Sequence, residues 1–200
     1  MIRTYFNQSA GIWDEMSLEK DTTKLERMAK YLNIEPGSIV LDVGTGTGVL
    51  LPFLFGESRQ IVALDFAEEM LHKAQVKGFK GNVDYLHADV TNIPLRDNIF
   101  DVTVCYSSFP HFQDKARALT EIKRVTKSGG KLLICHTSNR ARINEIHCQV
   151  PALANDFIPD EGEMQEMLSM AGFIDIKIED NSESYLASAR KPEEGWLKEV

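Results

Sequence analysis

"LDVGTGTG", residues 41–48, decides how the rest of the chain is read. The apolar run SIVLDV (38–43) is a strand pattern, and glycines follow at 44, 46 and 48. Glycine lets the backbone turn sharply and lets a ligand touch the main chain. A strand that runs into such a turn and then a helix is the first unit of a ligand-binding α/β sheet. The spacing departs from the dinucleotide fingerprint G-x-G-x-x-G, because Gly48 lies only two positions after Gly46 and Val49 follows it. Asp42, two residues before Gly44, would repel a pyrophosphate and suits a cationic ligand.

Working outward, strand patterns recur at 60–65, 83–88, 100–107, 131–136, 173–180 and 184–191. Helix patterns fall near 47–55, 67–77, 114–126, 141–149 and 161–171. Upstream, Leu25, Met28, Ala29 and Leu32 predict an amphipathic helix over 21–33 with Asp21 as its cap. "KSGG" (127–130) has the glycine expected just after a helix. Strand–helix alternation predicts a parallel sheet with helices on both faces. The last two strands share only the polar link "NSE" and must pair antiparallel. The expected fold is α/β: a Rossmann-like, doubly wound, seven-stranded sheet, mostly parallel, with an antiparallel C-terminal edge hairpin.

Three acids stand at the carboxyl ends of the first three strands: Asp42, Asp65 ("IVALDF") and Asp89 ("LHADVT"). Ligands of open α/β sheets bind in that crevice. An acid ending the second strand can accept from ribose hydroxyls, and one after the third can accept from a purine amine. Each alone has a plainer reading as a helix cap.

The motifs "VLDVGTGTG", "ALDFAEEML", "HADVTNIPLRDNIFDVTVCYSSFPHF" and "ALTEIKRVTKSGGKLLICH" resemble class I methyltransferases that use S-adenosylmethionine. They are similar in style to the small-molecule branch that includes ubiquinone and menaquinone C-methyltransferases. The resemblance is strong over 35–136 and looser through "AGFIDIKIEDNSESYLASARK". It implies S-adenosylmethionine as cofactor. The loop Gly44, Thr45, Gly46 and Gly48 would meet the methionine end, with Asp42 near the ammonium. Asp65, beside Phe66, would hold the ribose, and Asp89 with Val90 would meet the adenine. Tyr106 and Ser107 would border cofactor and substrate. Residues 1–34 would include lid helices, with Tyr5, Phe6 and Trp13 either covering the site or packing the helix. One domain spans 1–200, and residues 137–160 form a substrate-side cap.

The net charge of −8 argues against a nucleic-acid partner, which needs a basic surface. No run reaches the length of a membrane span, and the N-terminus lacks the apolar core of a signal peptide. The expected setting is cytoplasmic and the expected partner a small-molecule substrate; oligomeric state is unreadable. Cys105 and Cys135 read as small buried hydrophobes in a reducing compartment. "PDEGEMQEMLSMAG" (159–172) places Met164, Met167, Leu168 and Ala171 at core spacing.

Methyl transfer from a sulfonium needs alignment above all, and a base where the acceptor atom carries a proton. Candidates are Tyr106, His136 at the end of the fifth strand, and His147. His147 has a plainer reading as a satisfied core histidine, and His111 in "CYSSFPHF" reads better as packing than as catalysis. Arg140 and Arg142 suggest an anionic group on the substrate, against the plainer reading of a solvated loop. No residue is assigned as a metal ligand. The alternatives are metal-assisted transfer using His136 and His147, a module that binds cofactor or metal without turnover, and a nucleotide-cofactor oxidoreductase.

Overall fold

A computed structural model describes residues 2–16, 22–56 and 58–193. The elements run α1 (Ile2–Ser9), α2 (Trp13–Met16), α3 (Thr22–Leu32), β1 (Ser38–Val43), α4 (Leu51–Leu54), β2 (Ser58–Asp65), α5 (Glu68–Val76) and β3 (Val83–His87). They continue β4 (Phe100–Tyr106), a 3-10 turn (Phe109–His111), α6 (Lys115–Val125), β5 (Thr126–His136), α7 (Arg140–Cys148), α8 (Glu161–Met170), β6 (Ile174–Asp180) and β7 (Tyr185–Arg190). The expected cap Asp21 lies outside the described residues.

The seven strands form one sheet, as the alternation predicts, in the order β3-β2-β1-β4-β5-β7-β6 that the structure supplies. β3 to β5 are parallel, and β7 runs antiparallel between β5 and β6. Central β1 is buried along nearly all its length, whereas edge strand β6 is only half-buried in alternation. That contrast is what a two-sided helix cover and an open edge require. Strand order reverses between β1 and β4, so the ligand crevice opens above their carboxyl ends.

Alternation along the strands divides the core. Leu41, Leu132 and Ile134 join Leu119 and Ile122 of α6 and Leu168 of α8. Val40, Val104, Tyr106 and Cys135 join Leu25, Met28 and Leu32 of α3. Met164 and Leu168 are fully buried, so the methionine-rich helix is core packing, and its first turn is closed by a capping box between Asp160 and Glu163.

Two local expectations are corrected. The helix expected over 47–55 is reduced to Leu51–Leu54, because Gly44, Gly46 and Gly48 all have positive φ, which no right-handed helix accommodates. "KSGG" does not leave the sheet: β5 already pairs with β4 at Thr126, and residues 127–130 bulge before pairing resumes at Lys131.

Candidate active site

The glycine loop is fastened to β2 before it meets any ligand. The amides of Gly44 and Thr45 both donate to the Leu64 carbonyl, at 2.7 and 3.0 Å. The Gly46 amide donates to Asp65 Oδ2 at 2.7 Å, and the Ala67 amide to Asp65 Oδ1 at 2.8 Å. Burial pushes the Asp65 carboxyl up to about 6, with the backbone amides opposing. A Cβ on Gly44 would lie 2.5 Å from the Ser108 Cβ, whereas one on Gly46 would meet nothing within 4 Å. Gly44 is therefore needed for packing, and Gly46 faces open space.

Ser108, just after β4, donates to the Val43 carbonyl at 2.6 Å and ties the β4 tip to the β1 tip. Ser107 beside it has φ 52, an uncommon conformation for a side chain-bearing residue, and its amide donates to the Cys135 carbonyl. Asp89 Oδ1 accepts from both the amide and the hydroxyl of Thr91, which fixes the turn after β3.

These groups line a cavity of about 280 Å³. Its walls include Gly44, Thr45, Gly46, Asp65, Phe66, Asp89, Val90 and Tyr106. Small-molecule pockets start near this size, about 300 Å³. Phe6 and Trp13 close it from the N-terminal side, edge to face at 5.5 Å, with Phe6 also edge-on to Phe66. Asp14 pins this segment down, accepting from Thr47 Oγ1 at 2.5 Å and pairing with Lys77 at 2.8 Å. Tyr5 packs on Phe6 and is not part of the cavity wall.

Several expected residues stand elsewhere. Asp42 is buried behind the loop, where its carboxylate accepts from Thr45 Oγ1 at 2.7 Å, and Gly48 packs against Phe79 and Leu51; neither lines the cavity. His136 ends β5, as expected, but it is in register with Tyr185 and shares the face of Leu132 and Ile134. Strand alternation turns it into the α6–α8 layer instead of the crevice, and burial lowers its pKa to about 3. Tyr106 lines the cavity, but its hydroxyl is engaged with Thr137 at 3.1 Å. His147 is buried, donates from Nδ1 to the Asp156 carbonyl, and does not line the cavity.

Nor does any residue of 137–160 line it. Leu153 and Val150 pack in one cluster with Phe6, Ala67 and Met70, so this segment lies behind the N-terminal helices. Arg142 pairs with Glu145 and Arg140 with Asp180, both half-exposed and away from the cavity. The anionic substrate those arginines suggest therefore lacks its support. Among the described residues no three His, Cys, Asp or Glu side chains converge as a cation site, so the metal alternative gains nothing from the geometry.

The residue read as packing is the one that reaches the cavity. His111 lines it, and its Nδ1 lies 2.8 Å from Asp156 Oδ2 across 45 positions of sequence. Gln113 and Asp114 line the cavity beside it. Asp114 also caps α6, accepting from the Arg117 amide. Nothing local in the sequence joins His111 to Asp156.

A methyltransferase-domain profile matches residues 41–134. The demethylmenaquinone methyltransferase of Staphylococcus saprophyticus is 25% identical over 209 residues, spanning 88% of this chain and 89% of that one. The ubiquinone/menaquinone biosynthesis C-methyltransferase of Teredinibacter turnerae is 38% identical over 147 residues, 64% of this chain and 59% of that one. The chain thus spans less than two thirds of the latter's length. A solved S-adenosylmethionine-dependent methyltransferase from Aquifex aeolicus superposes with a TM-score of 0.68 at 28% identity, covering 83% of this chain and 88% of that one. Strand order, glycine turn and these likenesses agree: the chain carries a methyltransferase domain over residues 41–134, on the fold of the class I S-adenosylmethionine-dependent methyltransferases.

Proposed function

We propose that the protein transfers a methyl group from S-adenosylmethionine to a small acceptor that is neutral or cationic. The observation that carries this is one cavity shared by the tips of β1 to β4 and roofed by Phe6 and Trp13. The residues fit the cofactor. Gly46 has open space before it, and Asp65 is a buried carboxylate with unused lone pairs at the end of β2. In this reading the loop Gly44–Gly46 receives the methionine end, Asp65 the ribose hydroxyls, and Asp89 with Val90 the adenine. Asp42 acts behind the loop by fixing Thr45. When bound, the cofactor supplies an electrophilic methyl on a positively charged sulfur.

The acceptor's charge follows from the wall. Asp65, Asp89 and Asp114 line the cavity, and among the described residues no lysine or arginine does. An anionic acceptor would enter against like charge with no partner. The apolar share of the wall, with Phe6, Trp13, Phe66, Met70 and Phe112, suits a ring or chain of low polarity. Relatives that act in ubiquinone and menaquinone synthesis fit an apolar acceptor. Residues 1–200 act as one domain, with the N-terminal helices as roof and 137–160 as the brace behind it.

The test is transfer of label from methyl-labelled S-adenosylmethionine to a panel of phenols, quinols, amines and carboxylic acids. Label in the neutral or cationic compounds supports the proposal. Label confined to the carboxylic acids contradicts the charge assignment. No label in any compound, with cofactor bound, favours a binding module.

A further inference from the structure

We infer that His111, oriented by Asp156, is the base that takes the proton from the acceptor. This rests on the methyl-transfer reading above and names which acceptors need this particular chain.

The geometry is that of an oriented imidazole. An ionised carboxylate can only accept, so the 2.8 Å contact to Asp156 Oδ2 places a ring proton on Nδ1, and in the neutral imidazole Nε2 is then the acceptor. Among the described residues nothing hydrogen-bonds Nε2, and the ring is part of the cavity wall. Both partners are largely buried, with side chains 11% and 9% exposed. The ring is clamped as well as bonded: Phe6 meets it edge-on at 5.0 Å, and His147 lies 4.8 Å away. His147 donates to the Asp156 carbonyl, and Gln113 approaches its other carboxylate oxygen, so Asp156 is itself held. Asp156 is a positioning residue, since it does not line the cavity.

No other titratable group on the wall is as free. Asp65 binds the Gly46 and Ala67 amides, Asp89 binds Thr91 twice, and Asp114 binds the Arg117 amide. Each of these carboxylates is committed to backbone. The titratable and charged groups around His111 are Asp156 from the loop before α8, His147 of α7, His136 of β5, and Asp114 and Lys115 at the start of α6. Lys115 turns its ammonium onto the carbonyls of Pro110 and Phe112. Burial favours the neutral form of both His136 and His147, so neither histidine adds a positive charge beside His111.

The step balances without another reactant. The acceptor atom X forms a bond to the methyl carbon while the carbon–sulfur bond breaks, its electron pair staying on sulfur. The proton of X–H passes to His111 Nε2, the imidazolium is stabilised by Asp156, and the proton then leaves to water. The acceptors that need this are hydroxyls and carbon acids. A thiolate acceptor does not.

Two measurements test it. The ring-nitrogen NMR spectrum of the cofactor-free protein needs no acceptor. It is expected to show His111 protonated at Nδ1 with Nε2 bare, and Asp156→Ala is expected to shift the ring toward a mixture of tautomers. His111→Gln, with an unchanged melting profile, is expected to bind S-adenosylmethionine within about twofold of wild type by calorimetry. It should methylate the probe 1,4-dihydroxynaphthalene about 10²- to 10⁴-fold more slowly and lose the acidic limb of the pH–rate profile. A proton found on Nε2 overturns the inference, whether or not the probe is turned over. So does full turnover by His111→Gln. Loss of cofactor binding in the wild type instead sinks the methyl-transfer reading.

Discussion

The two walls of the cavity are built on opposite plans. The wall proposed for the cofactor comes from three consecutive strand–turn units, with Gly44–Gly46, Asp65 and Asp89 each fixed by neighbours within its own turn or the next strand. The wall proposed for the acceptor is assembled from afar: Phe6 from the first helix, His111 after β4, and Asp156 bonded to it from 45 residues on. A wall made of local turns tolerates change elsewhere in the chain. A wall made of distant pairs can be retuned by one substitution in any of its segments.

That contrast is broken most directly at Gly44. Gly44→Val places a branched side chain at φ 70 against Ser108, so the cofactor wall should fail as a unit. Strain of about 1–3 kcal/mol in addition to the overlap predicts a loss of S-adenosylmethionine affinity of about 100-fold or more by calorimetry. Retained affinity would mean that the wall is not set by this turn.

Asp65→Asn comes next. Removing a charged acceptor costs about 1.5–3 kcal/mol, so affinity should fall about 10- to 100-fold. In the wild type the ligand hydroxyls favour the ionised carboxylate, so affinity should fall as pH drops through about 6, and Asn should abolish that dependence. A pH-independent wild type would remove Asp65 from the cofactor wall.

His136 tests whether the acceptor side reaches into the core. Its folded pKa lies near 3, below the ordinary 6.5, so the unfolded chain binds more protons between those values. Stability is full above about 6.5 and is lost as pH falls toward 3. His136→Phe should reduce that acid loss in denaturant titrations by a few kcal/mol while leaving cofactor affinity intact. An unchanged acid limb would place the titration elsewhere.

Ser108→Ala should have the smallest effect. It removes one buried hydrogen bond, to the Val43 carbonyl, for about 1 kcal/mol in a thermal melt. A much larger loss would show that the two walls depend on each other through this tie.

The same contrast explains what could be read from the sequence. The parallel sheet and the antiparallel hairpin follow from periodicity and loop length, which are local; the order of the strands does not. The glycine turn was legible as a turn, but the helix after it was overdrawn, because positive φ at three glycines is not visible as composition. His136 ends an apolar run, a position that points to the crevice at the strand tips. Strand alternation instead turns it toward Tyr185 and the helices. His111 looked like packing because its partner Asp156 is distant and loop-borne. Arg140 looks like part of an anion site because its partner Asp180 lies 40 residues on, whereas the partner of Arg142, Glu145, stands three positions away on the same helix.

The central claim is that this cavity holds S-adenosylmethionine. The most direct measurement is calorimetric titration of the wild-type protein with S-adenosylmethionine and, separately, with NAD. The account predicts saturable binding of S-adenosylmethionine at one site per chain, weakened by Asp65→Asn, with NAD not bound. Binding of NAD without S-adenosylmethionine, or S-adenosylmethionine binding indifferent to Asp65→Asn, would contradict it.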